Sequence, residues 1–559
     1  MRDIVISTFG GILPRHSNHM LDKTQATYAQ DVKLRNGILE PWLEPCTQES
    51  VASSTKMIYV LGNNLHTWNK IVQIAETSRD WGRSYITGHN SYPEVMVEAC
   101  DGTLSYYRLG VPAPTDPLVL SGTESCDRSS DARSYCYTFV NKWGEESGPS
   151  PVSDVILVKD GASVQLSGFS TAPSGYAINR INIYRAVSGA HDIDPKKQTF
   201  QSGFLFVKSI SSNTSSTIDD LELEALSMPL DTEDVNPPPD KLSGIVSIDD
   251  LIRLAGYYEN RIYFSENTEL HNWPVKYELT IDDMIVHMEQ SKQLLFITTN
   301  SYPYIINTVS QDGCSPVIKS KAPFPDIACS YPHSHLMVPQ GLIYVSLKGL
   351  VLLQPDATIQ VLTAPWFDST EWGKLAPDTA RLGLYEGYLF CTTDNISFIL
   401  DLWGNNSYAD IKGGELTTIT NYPVDYFRSN TGDLYFLEKN KVKIWDRGTT
   451  YRKFLWESRE LTAESNRAAS MISLAPTSPK PRSVQFAPTT AKVKSKSTTF
   501  TLYYSINDDK AYSRHVSTEE PFRLPRFGRH SYYRVRFTGT EKVEFFSLGT
   551  SNFTVNDGV

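Results

Sequence analysis

Hydrophobic positions in this chain alternate or cluster in runs of four to seven, and long stretches at helical spacing are almost missing. Arg261-Ile262-Tyr263-Phe264-Ser265, Gly341-Leu342-Ile343-Tyr344-Val345 and Tyr503-Tyr504-Ser505-Ile506 are typical runs, each rich in the β-branched and aromatic residues that suit a pleated surface. Turn signals fall between them: Asn36-Gly37, Gly62-Asn63-Asn64 and Asp101-Gly102. The pattern predicts an all-β protein.

A weak period runs through residues 240–450. The strand centres Leu295, Ile343, Tyr388 and Leu434 are spaced by 48, 45 and 46 residues. Several open alike, as Gln340-Gly341-Leu342-Ile343-Tyr344, Glu386-Gly387-Tyr388-Leu389-Phe390 and Thr431-Gly432-Asp433-Leu434-Tyr435-Phe436, and a second strand follows closely. About 45 residues is the size of one four-stranded propeller blade, and stacked blades can bury sheet faces that one blade cannot. A β-propeller-like centre is therefore expected, with a stack of sandwiches as the alternative.

Proline marks the boundaries. Leu109-Gly110-Val111-Pro112-Ala113-Pro114-Thr115-Asp116-Pro117 and Asn236-Pro237-Pro238-Pro239-Asp240 bracket a stretch with sandwich-like strands, among them Ser134–Val140, Ile181–Arg185 and Phe204–Val207. Its segment Asn141-Lys142-Trp143-Gly144-Glu145-Glu146-Ser147-Gly148-Pro149-Ser150-Pro151 resembles a strand connection of fibronectin III/Ig-like modules. The expected organisation is a platform segment at 1–55, first propeller strands at 56–115, an inserted β-sandwich at 116–235, propeller blades at 240–450 and a β-rich C-terminal platform domain at 451–559. Between such boundaries the insert is expected to fold alone, and the two termini to pair with each other in the platform.

Charge changes this picture in one place. The chain has 559 residues, 52 Lys+Arg and 63 Asp+Glu, hence a formal net charge of −11. Residues 441–540 hold 19 Lys+Arg against 8 Asp+Glu, or +11, so the remainder holds 33 against 55, or −22. A basic C-terminal segment on an acidic body implies surfaces with different partners. Lys492, Lys494 and Lys496 form its densest stretch and are the candidate interface residues; a lysine-blunted strand edge is the other reading of the same three.

Candidate chemistry is sparse. The seven cysteines, 46, 100, 126, 136, 314, 329 and 391, are scattered without a C-x-x-C, which indicates neither a disulfide framework nor a zinc site. No phosphate-binding loop, H-E-x-x-H or nucleophile elbow occurs. His16 with His19 and His333 with His335 are the close histidine pairs, and they lack further ligands at metal spacing. The acidic pairs Asp282-Asp283, Asp508-Asp509 and Glu519-Glu520 sit in turn sequence, where solvated carboxylates are the rule. No catalytic residue, cofactor site or metal site is expected. No apolar run reaches membrane-span length and the N-terminus lacks a secretion-type apolar core, so assembly in a cytoplasm is expected.

Three stretches carry a resemblance. Phe9-Gly10-Gly11…Pro14-Arg15 with Ala29-Gln30-Asp31-Val32-Lys33-Leu34…Gly37-Ile38-Leu39-Glu40-Pro41 is the first. Tyr106-Tyr107-Arg108-Leu109-Gly110-Val111-Pro112-Ala113-Pro114 is the second. The third is Gly256-Tyr257-Tyr258-Glu259-Asn260-Arg261-Ile262-Tyr263-Phe264-Ser265, an N-R-[IL]-x-F-S segment, followed by His271-Asn272-Trp273-Pro274. Together they resemble the tail tubular protein B, or tail nozzle, family of podoviruses. That resemblance implies a non-enzymatic virion structural protein of the phage tail, assembled in the host bacterial cytoplasm. It implies a homo-hexameric ring, docking to adaptor or head–tail connector proteins, neighbouring tail fibres or spikes, and an axial channel for DNA ejection without sequence-specific contact. The competing function is a host-surface glycan-binding or depolymerase propeller.

Overall fold

The computed structural model describes residues 4–549 apart from 78–81, 126–129, 160, 190–202, 249–251, 309–316, 322–326, 330, 332–333, 404–413, 462–489, 496, 505–510, 518–519, 521 and 526–532. The chain is all-β and forms two compact units, one of residues 70–321 and one joining 1–69 to 322–559.

The 70–321 unit holds three four-stranded antiparallel blades and the inserted sandwich. The first blade runs Gln73–Glu76, Arg83–Thr87, Glu94–Glu98, Leu104–Arg108; the second Ser243–Ile248, Arg253–Tyr258, Arg261–Phe264, Leu279–Thr280; the third Ile285–Ser291, Leu294–Thr299, Tyr304–Asn307, Val317–Lys321. Side chains from facing sheets make one core between the first and second blades, with Tyr85, Val95, Ile245, Leu254 and Trp273, and another between the second and third, with Ile248, Phe264, Met288 and Ile297. This face-to-face burial is what a propeller-type blade needs and what a lone sheet cannot supply.

The insert is a fibronectin III-like sandwich of a three-stranded sheet (Val119–Gly122, Val164–Ser167, Ser216–Asp219) on a four-stranded one (Ile156–Lys159, Ser130–Asn141, Ile178–Gly189, Leu205–Ser211). Past the Asn141 turn the chain runs beside strand Ser130–Asn141, and Ser147, Ser150 and Ser153 each use their Oγ to accept the backbone N–H of Phe139, Tyr137 and Tyr135 at 2.9, 3.1 and 2.9 Å. That explains the S-x-x-S-x-x-S spacing of a segment otherwise rich in proline.

The proline boundaries are packed junctions, not slack hinges. Gly110, at φ +87°, lies where a Cβ would sit 2.7 and 2.8 Å from Pro238 and Pro237. Trp143 meets Tyr107 edge-on at 5.3 Å, Lys142 Nζ lies 3.7 Å from the Tyr107 ring, and Arg83 pairs with Glu145 at 2.7 Å. The sandwich and the three blades therefore share one compact unit.

The other unit contains three more blades, a hairpin and the platform. The fourth blade is His335–Val338, Gly341–Ser346, Gly349–Leu353, Ile359–Val361, and the fifth is Arg381–Tyr385, Tyr388–Thr392, Ser397–Asp401, Leu416–Thr418. The sixth, Asp425–Arg428, Leu434–Glu438, Lys441–Ile444, takes its fourth strand, Cys46–Ser50, from the N-terminal segment. Residues 1–55 therefore do not belong wholly to the platform. Residues 56–115 divide as well: the hairpin Met57–Leu61/Asn64–Trp68 packs Ile58 against Leu437 and Val442 of the sixth blade, whereas the strands from Gln73 onward lie in the 70–321 unit.

The platform is a β-sandwich built from both ends of the chain. Its smaller sheet runs Ile4–Ile6, Phe545–Gly549, Thr490–Lys494, Phe522–Arg523. Its larger one runs Ala26–Gln30, Phe454–Ser458, Arg534–Gly539, Thr498–Tyr503, Ala511–Val516, and continues the fifth blade through a parallel Gln30–Thr418 pairing. Phe9, Trp456, Phe500, Phe537 and Phe546 fill the space between, with Phe9–Trp456 ring centroids at 5.0 Å.

One buried acid ties the hairpin down. Asp425 Oδ2 accepts the Ile58 N–H at 2.8 Å, and burial pushes its carboxyl up to about 7 against the opposing pull of the Ile58 and Tyr426 amides and Arg381. A folded-state value above the ordinary one means the neutral form is favoured on folding. Its stabilisation is therefore fully present below about pH 4 and is lost as pH rises through about 7. Thermal melts between pH 5 and 8 should show this unit losing stability with rising pH, and Asp425→Asn should flatten that slope; an unchanged slope would place the titration elsewhere.

Candidate docking surface on the platform

The lysine-bearing strand Thr490–Lys494 lies inside the smaller platform sheet, where Ala491 and Val493 point into the core. Alternation then sends Lys492, half-buried, and Lys494, exposed, to the outer face. Lys496 lies outside the described residues. Lys494 Nζ is 2.6 Å from Glu544 Oε2 on the adjoining segment, and Lys542 Nζ is 2.9 Å from Glu40 Oε1. The Glu40 carboxylate, by hydrogen bond and charge, raises the Lys542 ammonium above its usual range. Lysines and glutamates thus interleave around a cavity of about 230 Å³ floored by Pro41 and Tyr451. Glu40 also borders a second cavity of about 190 Å³ with Lys33, Arg35 and Tyr388.

Behind this surface the cations are fixed by acids far away in sequence. Arg35 makes a two-pronged pair with Asp401, at 3.0 and 2.9 Å, and lies 3.9 Å over the Tyr388 ring. Arg452 reaches Asp31 at 3.2 Å, and burial, outweighing Arg452, raises the Asp31 carboxyl. Lys33 pairs with Asp446 at 2.9 Å, Lys443 with Glu438 at 2.7 Å, and Arg534 and Arg536 with Glu457 at 2.9 and 2.6 Å. Much of the positive excess read in residues 441–540 is therefore matched within the fold. Sequence order hid these pairs; only the R-x-R alternation at Arg534 and Arg536 signalled two cations on one strand face.

The remaining candidates do not converge. Tyr304 donates to Asp283 Oδ2 at 2.7 Å, Glu520 is exposed, and Asp508, Asp509 and Glu519 lie outside the described residues. His19 stands 3.8 Å from Glu460, and His335 Nε2 stands 3.3 Å from the buried Cys329 Sγ; His333, Cys126 and Cys314 lie outside the described residues. Among the described residues no group of three or more His, Cys, Asp or Glu is placed to hold a metal. No helix is long and apolar enough to cross a membrane.

The third motif stretch is structural. Asn260 Nδ2 donates to Ile281 O at 2.8 Å, Ser265 Oγ accepts the Leu254 N–H at 2.9 Å, and the buried Trp273 donates its indole N–H to Leu270 O at 3.1 Å. The residues hold a blade hairpin and its exit loop.

No family model matches this chain, and no curated protein matches it. Among solved structures it is similar to Hsv2 of Kluyvelomyces marxianus, at 8% identity over 50% of this chain and 69% of that one, TM-score 0.23. It is similar to the N-terminal domain of Nup159 at 10% identity, over 40% of this chain and 59% of that one, TM-score 0.24. It is also similar to the AfRom2 CNH domain at 10% identity, over 62% of this chain and 92% of that one, TM-score 0.26.

Proposed function

We propose that this chain is a ring-forming structural component of a short-tailed phage tail, a nozzle or tail tubular protein that docks to the portal–adaptor complex and surrounds an axial channel for DNA ejection. The observation that carries the reading is where the first motif stretch falls. Phe9-Gly10-Gly11 lies where platform and fifth blade join: Phe9 packs on Trp456 and Phe537, Gly10 O accepts the Trp456 indole N–H at 3.0 Å, and the Gly11 N–H donates to Glu415. A Cβ at Gly11 would meet Leu416 O at 2.4 Å, so the motif requires glycine for close backbone approach. The residues that support the resemblance thus build a scaffold joining platform to blades. The acidic balance outside 441–540 suits a channel wall past which phosphate slides without sticking.

Negative-stain imaging of the purified chain, alone and with portal–adaptor complex, tests this. Six-fold rings that cap the complex are expected. A dispersed monomer that cleaves or retains host-surface polysaccharide would sink the structural reading in favour of a glycan-directed propeller.

A further inference from the structure

The larger platform sheet turns one face to the core and one outward, and the outward face carries a fixed pair of arginines. Register sets Glu457 opposite Arg536, Arg536 opposite Thr501, and Thr501 opposite Ser513, so these four share the outward row. Glu457 is only 5% exposed, because Arg534 and Arg536 close over it. Arg534 Nη1 takes one carboxylate oxygen at 2.9 Å, and Arg536 Nε takes the other at 2.7 Å. Both guanidiniums also lie over the Tyr503 ring, at 5.5 and 4.9 Å. Two cations share one anion, leaving a net positive charge whose geometry is set before any partner arrives. Preorganised arginines lose little further entropy on meeting carboxylates and take them in defined geometry.

The complementary surface is on the same chain. Residues 219–240, which leave the last strand of the inserted sandwich, contain eight Asp or Glu and no Lys, Arg or His. Asp220, Glu222, Glu224, Asp231, Glu233 and Asp234 are exposed, and between them the apolar tips of Leu223 and Met228 stand 43% and 75% exposed. Carboxylates interspersed with exposed apolar side chains match a sheet face of arginine, tyrosine and hydroxyls, in which charge selects and apolar burial holds.

We propose that the outward platform face of one copy receives the acidic 220–234 segment of a second copy of this chain. The contact is heterologous, since different patches meet, and such contacts generate rings when the rotation closes. The inference rests on the ring-forming reading above and names the surfaces that would make the ring.

The test uses the full chain in sedimentation velocity from about 0.1 to 1 M salt, a range that shortens the Debye length from about 10 to about 3 Å. The probes are Thr501→Glu with Ser513→Glu on the platform face, Glu222→Lys with Glu224→Lys on the segment, and the four changes combined. These sites are partly or fully exposed, so melting curves should match wild type and show that folding is intact. Each pair alone is expected to weaken self-association about tenfold or more at low salt, and the combined variant to restore it. Loss in each pair without restoration overturns the pairing. Rings that form equally well in all variants overturn this inference while leaving the ring reading intact, whereas a wild type that never self-associates removes both. A labelled DNA duplex forms a further arm: if Thr501→Glu/Ser513→Glu abolishes duplex binding while assembly is unchanged, the face takes phosphate and the proposal fails.

Discussion

Replacing Asp219 by alanine should destabilise the inserted sandwich by about 3–5 kcal/mol, because it strands a wholly buried guanidinium. Asp219 Oδ2 accepts from Arg185 Nη1 at 2.8 Å and from the Tyr135 hydroxyl at 2.8 Å, inside the sandwich and out of reach of water. The three residues come from strands of both sheets, so the cluster pins one sheet to the other. Burial, reinforced by the Asp219 carboxylate, pushes the Tyr135 hydroxyl well above its ordinary range, which keeps it a donor at any physiological pH. A buried pair is costly to break but contributes little net stability against an apolar replacement of the same volume. The combined variant Asp219→Leu, Arg185→Met, Tyr135→Phe should therefore melt much closer to wild type than Asp219→Ala does. Limited proteolysis within 116–235, read beside thermal melts, would follow the effect. If Asp219→Ala melts like wild type, water reaches the cluster and the sandwich core is looser than its packing indicates.

The insert also shows what sequence alone could and could not reveal. Its strands were legible because Tyr135, Tyr137, Phe139, Ile181 and Ile183 alternate with other positions and all face one core. Its dependence on the first blade was not, since Lys142, Trp143 and Glu145 look like an ordinary polar turn until Arg83 and Tyr107 stand opposite them. The blade period was legible for a related reason. Leu295, Ile343, Tyr388 and Leu434 each lie in the second strand of a blade, where burial between neighbouring blades leaves a dense apolar signature. Cys46-Thr47-Gln48-Glu49-Ser50 has no such signature. It is an outer strand with exposed side chains, held by backbone pairing to Lys441–Ile444, and backbone hydrogen bonds leave no mark in residue choice.

The docking surface was the least legible part. Counting charges along 441–540 gave a basic surface, yet ion pairs form in space. Arg452 finds Asp31, Lys494 finds Glu544, and Arg534 and Arg536 share Glu457. What distinguishes the outward face of the larger sheet is that two cations share one acid, a ratio that only the folded register reveals.

The N-terminal segment should prove as essential to the blades as to the platform, and Trp42→Ala measures this. Trp42 is fully buried and sits among Tyr388 at 5.0 Å, Trp445 at 5.5 Å, Phe390 at 6.3 Å and Tyr385 at 6.4 Å, between the fifth and sixth blades. Lys33 Nζ closes over the indole at 4.2 Å. Truncation removes one of the largest side chains from a packed aromatic cluster and opens a cavity that its rigid neighbours fill poorly, at a cost of about 3–5 kcal/mol. Trp42→Phe supplies the control. The indole N–H has no hydrogen-bond partner among the described residues, so phenylalanine forfeits area and no polar contact, and should cost less than about 1.5 kcal/mol. Hydrogen exchange is the suitable readout, because a chain of two compact units need not unfold in one step. Amides of Tyr388–Thr392 and Leu434–Glu438 should lose protection in Trp42→Ala, while those of the 70–321 unit keep theirs. Equal loss across both units would mean that they unfold together. Unchanged exchange in the fifth and sixth blades would mean that the N-terminal segment rests on them without holding them.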